Sequence, residues 1–283
     1  MQGPPTTGEL QGSNDVAKLE DLCSRPYKDQ AIWFLNGFWV DFAKDEADKI
    51  WGYVHLLAEL DEKKKAHGNA VDEFQAHRFL EKIGETLTVQ SMRDKLRSTG
   101  AFGEQKFRTV PLAHFLLFKY NINYRDLVNA PQGSLSPTEL AKAQKMVEDA
   151  QAACEAAQAR EAELRAAERE LKAQEDAYNR KTEELTRASE TGGAVSKNKA
   201  KAELAQHLAE DPLPLRRAKI TAEAAVRKAE AAVAEAQKSL AEAEEYLQKA
   251  KSMGAPEGQI WWMEKELQEA RKYLPKSKGG VAK

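Results

Sequence analysis

Residues 222–250 read AEAAVRKAEAAVAEAQKSLAEAEEYLQKA. Val226, Val233, Leu240 and Leu247 recur every seven residues, and Ala222, Ala229, Ala236, Ala243 and Ala250 recur in the same step. Alternating spacings of three and four keep both sets on one face of a helix, as in the seam of a coiled coil. Alanine at every second seam position removes bulk, so a partner helix can approach closely. The matching ladder lies upstream, in Ala143, Ala150, Ala157, Leu164, Leu171, Tyr178 and Leu185, with Met146, Ala153 and Ala167 as companions. The spacing predicts two long helices that fold back on each other as an antiparallel coiled coil.

Local signals place the ends of these helices. Pro131 to Pro137 marks a boundary, with Ser136 as cap, Pro137 in the first turn and Glu139 three residues after the cap. The first helix is predicted over about 137–189, roughly 50 residues and so about 75 Å. Gly192-Gly193 ends it. A short helical piece over 197–209 precedes Asp211-Pro-Leu-Pro214, the second long helix covers about 215–252, and a closing helix covers about 259–273.

The first half reads differently. Residues 1–15 are rich in Gly, Pro, Thr and Ser and are expected to form a disordered tail. Residues 16–130 carry most of the aromatic mass, with Ile32, Trp33, Phe34, Leu35, Phe38, Trp39 and Phe42 close together. Strand signals are nearly absent. The expected fold class is all-α: an EF-hand-like helical domain over 16–130, then an antiparallel helical hairpin over 131–283 closed by a short helix.

Composition narrows the function. The chain has 283 residues, 31% of them charged, with 43 Lys and Arg against 45 Asp and Glu for a formal net charge of −2. That balance lacks the basic excess of a general nucleic-acid binder. The longest mostly apolar run, Ala31 to Val40, is far short of the roughly 20 residues of a membrane span, and no signal peptide is indicated. The two cysteines, Cys23 and Cys154, have no metal-binding spacing and fit a reducing cytosol. No phosphate loop is present, and the five histidines show no zinc spacing. No enzyme, cofactor or metal site is expected.

Helix–loop–helix spacing in the first half invites a test for calcium ligands, which need oxygen donors at loop positions 1, 3, 5 and 12. With Val71 at the apolar position 8, the first loop has Lys64, Ala66 and Gln75 at positions 1, 3 and 12. With Val110 at position 8, the second has Gly103, Phe107, Arg108 and His114 at positions 1, 5, 6 and 12. Neither offers a carboxylate cage, so tight calcium binding is not expected. A basic cluster, Arg216, Arg217, Lys219, Arg227 and Lys228, opens the second long helix. Arg216, Lys219 and Arg227 are expected to form a positive stripe beside the seam, either as a partner-binding surface or as a solvated face with a Glu223–Arg227 pair. In Ile260-Trp261-Trp262-Met263 the two indoles point about 100° apart. One is expected to close a helix onto the coiled coil and the other to meet the bundle end, the first domain or a partner.

These residues carry a resemblance. Ile220-Thr-Ala-Glu-Ala-Ala-Val-Arg227 followed by Ile260-Trp-Trp-Met263 resembles the C-terminal signature of the calcium-regulated actin-bundling proteins of slime moulds. Residues 26–39 are similar to that family's early helix, and Phe115 to Tyr120 resembles the exit helix of its second EF-hand. The resemblance implies an EF-hand-containing first domain, a C-terminal helical bundle bearing the main actin contacts, and filament cross-linking restrained by calcium. The departure is in the second loop, where Gly103, Gln105, Phe107 and His114 replace an Asp/Asn-rich loop ending in glutamate. The expected function is therefore actin-filament binding and bundling with calcium control weakened or lost, in the cytoplasm and cytoskeleton, by a chain that can also pair as a homodimer. The alternative is a helical scaffold of another cytoskeletal assembly. The seam itself is testable: Ala236→Leu is expected to overpack it and lower stability by about 1–3 kcal/mol in denaturant unfolding, whereas an unchanged midpoint would contradict the seam assignment.

Overall fold

The computed structural model describes residues 8–86, 88–101 and 109–274. Among these residues the fold is all-α apart from two three-residue strands. The chain divides into two compact units, 1–147 with 243–266, and 148–242 with 267–283.

The first unit opens with α1 (Asp15–Ser24), α2 (Tyr27–Phe38) and α3 (Lys44–Leu60). Asn14 starts α1 by accepting a hydrogen bond from the Ala17 amide at 2.9 Å. A π-helical turn at Trp39–Ala43 joins α2 to α3. Then come β1 (Ala70–Asp72), α4 (Glu73–Lys82), α5 (Val89–Ser98), β2 (Thr109–Pro111), α6 (Leu112–Lys119) and α7 (Tyr124–Val128). Asp72 caps α4 through the Gln75 amide at 2.9 Å, and Thr88 with Ser91 forms a capping box at the start of α5. The strands pair antiparallel with Val71 opposite Val110, the two residues aligned at loop position 8 from the sequence. Two helix–loop–helix units, α3/α4 and α5/α6, are thus joined through their loops. Their interior is aromatic, with edge-on contacts between Tyr53 and Phe115 at 5.4 Å and between Phe79 and Phe115 at 4.9 Å.

Three further helices follow: α8 (Pro137–Glu190), α9 (Ala194–Ala209) and α10 (Leu213–Ser252), with α11 (Glu257–Arg271) last. Ser136 Oγ accepts from the Glu139 amide at 3.3 Å, as the sequence signal required. In the first unit the opening turns of α8 bury Leu140, Ala143 and Val147, and the closing turns of α10 bury Ala243, Leu247 and Ala250. The Tyr246 hydroxyl donates to the Glu139 carboxylate, and the Lys142 ammonium lies over the Tyr246 ring at 4.8 Å. The start of α8 therefore lies beside the end of α10.

In the second unit the polypeptide reverses at Gly192, whose φ of +97° suits glycine. His207 of α9 then meets Thr182 at 3.0 Å and the Tyr178 ring at 4.4 Å, so α9 returns along the last turns of α8. Farther along, Ala167, Glu170 and Gln174 of α8 share an open groove with Leu213, Arg217, Ala218 and Thr221 of α10. Ala150, Cys154 and Ala157 on α8 are buried, as are Ala218, Ala222, Ala229, Val233, Ala236 and Leu240 on α10.

The seam differs in detail from the spacing. Val147 and Cys154 are buried where Met146 and Ala153 were expected as companions, and Val226 is 37% exposed while Ala225 is half-buried. A straight helix drifts by about 20° per heptad relative to a seven-residue repeat, which turns Val226 outward at the start of α10. On α8 alanines populate both flanks, so spacing did not decide which flank faces in.

The closing helix docks within the first unit. Gly258 lies against the backbone of α2, where an added Cβ would come within 2.7 Å of the Asn36 nitrogen and the Leu35 carbonyl carbon. The Gln259 amide donates to Asn36 Oδ1 at 2.7 Å. Lys28 pairs with Glu266 at 2.6 Å and Lys265 with Asp48 at 2.6 Å. Both tryptophans meet the aromatic first half: Trp262 lies 4.6 Å from Trp51, and Trp261 lies 6.3 Å from Trp39 and 6.4 Å from Trp51. The contact with the first domain expected of one ring is thus made by both. Trp39 and Trp51, from different helices, give the diverging indoles two partners on one domain. Ile260 and Met263 are also buried but stand outside that aromatic core. Trp262→Ala is expected to cost about 3–5 kcal/mol in reversible unfolding, with Trp262→Phe costing much less. Equal stability of the alanine variant would contradict this docking.

Candidate functional site

The five cations that open α10, Arg216, Arg217, Lys219, Arg227 and Lys228, are all exposed. Their helix is strongly polarised along its length. Residues 213–228 hold Arg216, Arg217, Lys219, Arg227 and Lys228 against Glu223, whereas 229–242 hold Glu230, Glu235 and Glu242 against Lys238. The cations do not form one patch. At about 100° per residue, Arg216 and Arg227 fall on the ridge roughly opposite buried Ala218, Ala222 and Ala229, not beside the seam. Lys219 lies on one flank near Val226. Arg217 and Lys228 lie on the other, where Arg217 lines the groove with Glu170. Arg216 reaches Asp211 at 3.1 Å, with both side chains more than 60% exposed, so the pair is screened and weak. Among the described residues no ion pair within 4 Å joins Glu223 to Arg227.

In the first helix–loop–helix loop the side chains contact one another. At position 1 the Lys64 ammonium donates to Asn69 Oδ1 at 3.0 Å. The Asp61 carboxylate fills the loop interior, accepting from the Lys64 amide at 3.0 Å and from the Tyr27 hydroxyl at 3.1 Å. It lies so close to Gly68 that an added Cβ there would clash with it. Burial, together with the Asp61 charge, raises the Tyr27 phenol far above its ordinary value. Gln30, fully buried, ties the loop to its surroundings. Its amide donates to the Arg25 and Asn69 carbonyls at 2.7 and 2.8 Å, and its carbonyl accepts from the Ala113 amide at 2.8 Å. This polar link is not legible in the sequence, because a single glutamine in an aromatic helix carries no periodic signal. Ala66 and Gln75 are the other loop positions named from the sequence, and Gln75 contributes its amide to the Asp72 cap rather than a ligand.

Gly103, Gln105, Phe107 and Arg108 of the second loop lie outside the described residues. His114, at its position 12, is buried in α6. Among the described residues no cluster of three or more His, Cys, Asp or Glu side chains gathers as a metal site, and no helix is long and apolar enough to cross a membrane.

Residues 129–257 match the family model described as F actin bundling C terminal. That likeness covers just under half of the chain. The matched segment contains the five cations that open α10 and the whole alanine seam, and it ends just before Ile260-Trp-Trp-Met263. The crystal structure of the 34 kDa F-actin bundling protein from Dictyostelium discoideum is similar over 94% of this chain and 100% of that chain, with a TM-score of 0.52 at 21% identity. At that identity the likeness bears on the fold. No curated protein sequence matches the chain.

His114 supplies a pH test of the first unit. Burial pushes its pKa down to about 3, against an ordinary 6.5. The folded state therefore stays neutral at this site while the unfolded chain takes up a proton below about pH 6.5. Stability is expected to fall as pH drops from 6.5 towards 3, by up to about 1.4 kcal/mol per pH unit from this group. Over pH 6.5–5.5, His114→Leu should flatten the dependence of the unfolding midpoint. An unchanged slope would show that His114 is not the group responsible.

Proposed function

We propose that this chain is a non-enzymatic binder and bundler of actin filaments, working in the cytoplasm as part of the cytoskeleton, and that calcium no longer controls it through the two loops. The reading is carried by the family match over 129–257, which brings the exposed, weakly paired cations of α10 into a segment defined by filament bundling. The contact is electrostatic in its long-range part. Arg216, Arg217, Lys219, Arg227 and Lys228 together steer the chain towards acidic groups on the filament, and neighbouring charge reverses only farther along the helix. Bundling requires two filament-binding faces, supplied by one chain or by a pair of chains.

The reading that calcium control is lost is supported by what occupies the first loop. An ammonium stands at position 1, and a carboxylate turned inward is already satisfied by two amide donors and a phenol. Tight calcium sites need several oxygen ligands with net negative charge, and this loop offers a cation in their place. High-speed co-sedimentation with actin filaments tests binding and low-speed pelleting tests bundling. Both are expected to weaken as salt rises, since exposed charges are screened within about 8 Å at physiological ionic strength, and both are expected to be unchanged by millimolar calcium. Absence of pelleting, or pelleting indifferent to salt, would overturn the filament reading. Release by calcium would overturn the loop reading.

A further inference from the structure

The ridge of α10 that points away from the seam is not purely basic. Arg216, Ile220, Glu223 and Arg227 follow one another at steps of four, three and four, and so share one face. Ile220 at its centre is 58% exposed. Its neighbours across the helix, Ala218 and Ala222, are buried at 6% and 7%. Isoleucine is a slightly weaker helix former than the alanines around it because its branched Cβ crowds the preceding turn, and solvent is a poor environment for its side chain. Neither local propensity nor the internal packing of this unit accounts for isoleucine at the outermost position of the helix. Val226, 37% exposed, extends the apolar surface along one side of the ridge.

From this we infer that Ile220 is the apolar anchor of the filament contact and that Arg216 and Arg227 are its charged rim, so that the occupant of this face is a protein surface with an apolar recess bordered by carboxylates. The assignment rests on the filament reading above and refines it. Interfaces draw most of their energy from a few desolvated side chains at the centre, with charged residues at the rim steering approach and register. Charge complementarity selects the partner here: two guanidiniums about 16 Å apart along the helix (eleven residues at 1.5 Å each) bracket the isoleucine, with a single carboxylate, Glu223, between them. Arg217 and Lys228 face the groove flank and stand outside the contact. The five cations are therefore unequal, and the decisive residue is not one of them.

The test is filament co-sedimentation of single variants of the full chain at several salt concentrations, with circular dichroism melting to confirm that each remains folded. Ile220 is exposed, so Ile220→Ser is expected to melt like the parent. It should weaken filament affinity about tenfold or more at every salt concentration, with the salt dependence unchanged and Ile220→Val close to the parent. Arg227→Gln should weaken binding mainly at low salt and flatten the salt dependence. Arg217→Gln and Lys228→Gln should each cost less than Arg227→Gln. The inference is overturned if Ile220→Ser pellets like the parent, or if Arg217→Gln or Lys228→Gln costs more than Ile220→Ser. If the unsubstituted protein fails to pellet, the filament reading beneath it falls instead.

Discussion

Burial of small alanines along α8 and α10 decides which face of α10 is presented outward. Ala150 and Ala157 on α8, and Ala218, Ala222, Ala229 and Ala236 on α10, are buried with almost no side-chain volume to bury. Such positions gain little from transfer out of water, about 0.8 kcal/mol per methyl-sized group. Their value is steric: they let two helices approach closely enough for dispersion between the main chains and for the larger Val233 and Leu240 to fill the remaining space. Once these alanines face inward the opposite ridge faces outward, and the direction in which Arg216, Ile220 and Arg227 point is no longer adjustable. A larger side chain on the seam would rotate or separate the helix and displace the ridge with it.

The first unit depends on a second close approach of the same kind. Gly258 allows the start of α11 to lie on the backbone of α2, and from there the paired tryptophans reach Trp39 and Trp51. Two ion pairs, Lys28–Glu266 and Lys265–Asp48, flank this contact. Large rings contribute the area and the glycine supplies the geometry. The sequence motif that resembles the actin-bundling family thus has two physical parts. The residues around Ile220 lie on an exposed ridge, whereas Ile260-Trp-Trp-Met263 is spent on internal docking.

Much of this was legible in the sequence where a local rule acts without competition. Ser136 and Pro137 set the start of α8 because a cap needs only its own turn, and the heptad spacing identified the paired helices because alanine and leucine repeat over many turns. Val71 and Val110, aligned at equivalent loop positions, face each other in a two-stranded ladder that no strand signal indicated. What could not be read depends on three-dimensional partners. The flank of α8 that buries Val147 and Cys154 was hidden by alanines on both sides of the ladder. The outward turn of Val226 comes from helical drift, which accumulates over distance rather than at a residue. Neither the docking of both tryptophans on the first half nor the Gln30 link leaves a sequence pattern, because each joins segments remote in the chain.

The central claim is that the alanine seam fixes one outward ridge on α10 and that this ridge is what a filament covers. It is tested most directly by placing single cysteines at positions 216 to 228 and measuring their rates of thiol labelling with and without actin filaments. The native thiols give little background: both are buried, and burial raises the Cys23 thiol and pushes that of Cys154 up to about 11. Filaments should protect positions 216, 220, 223 and 227 and leave 217, 221 and 228 labelling as before. Protection centred on 217, 221 and 228, or none at all, would contradict the account.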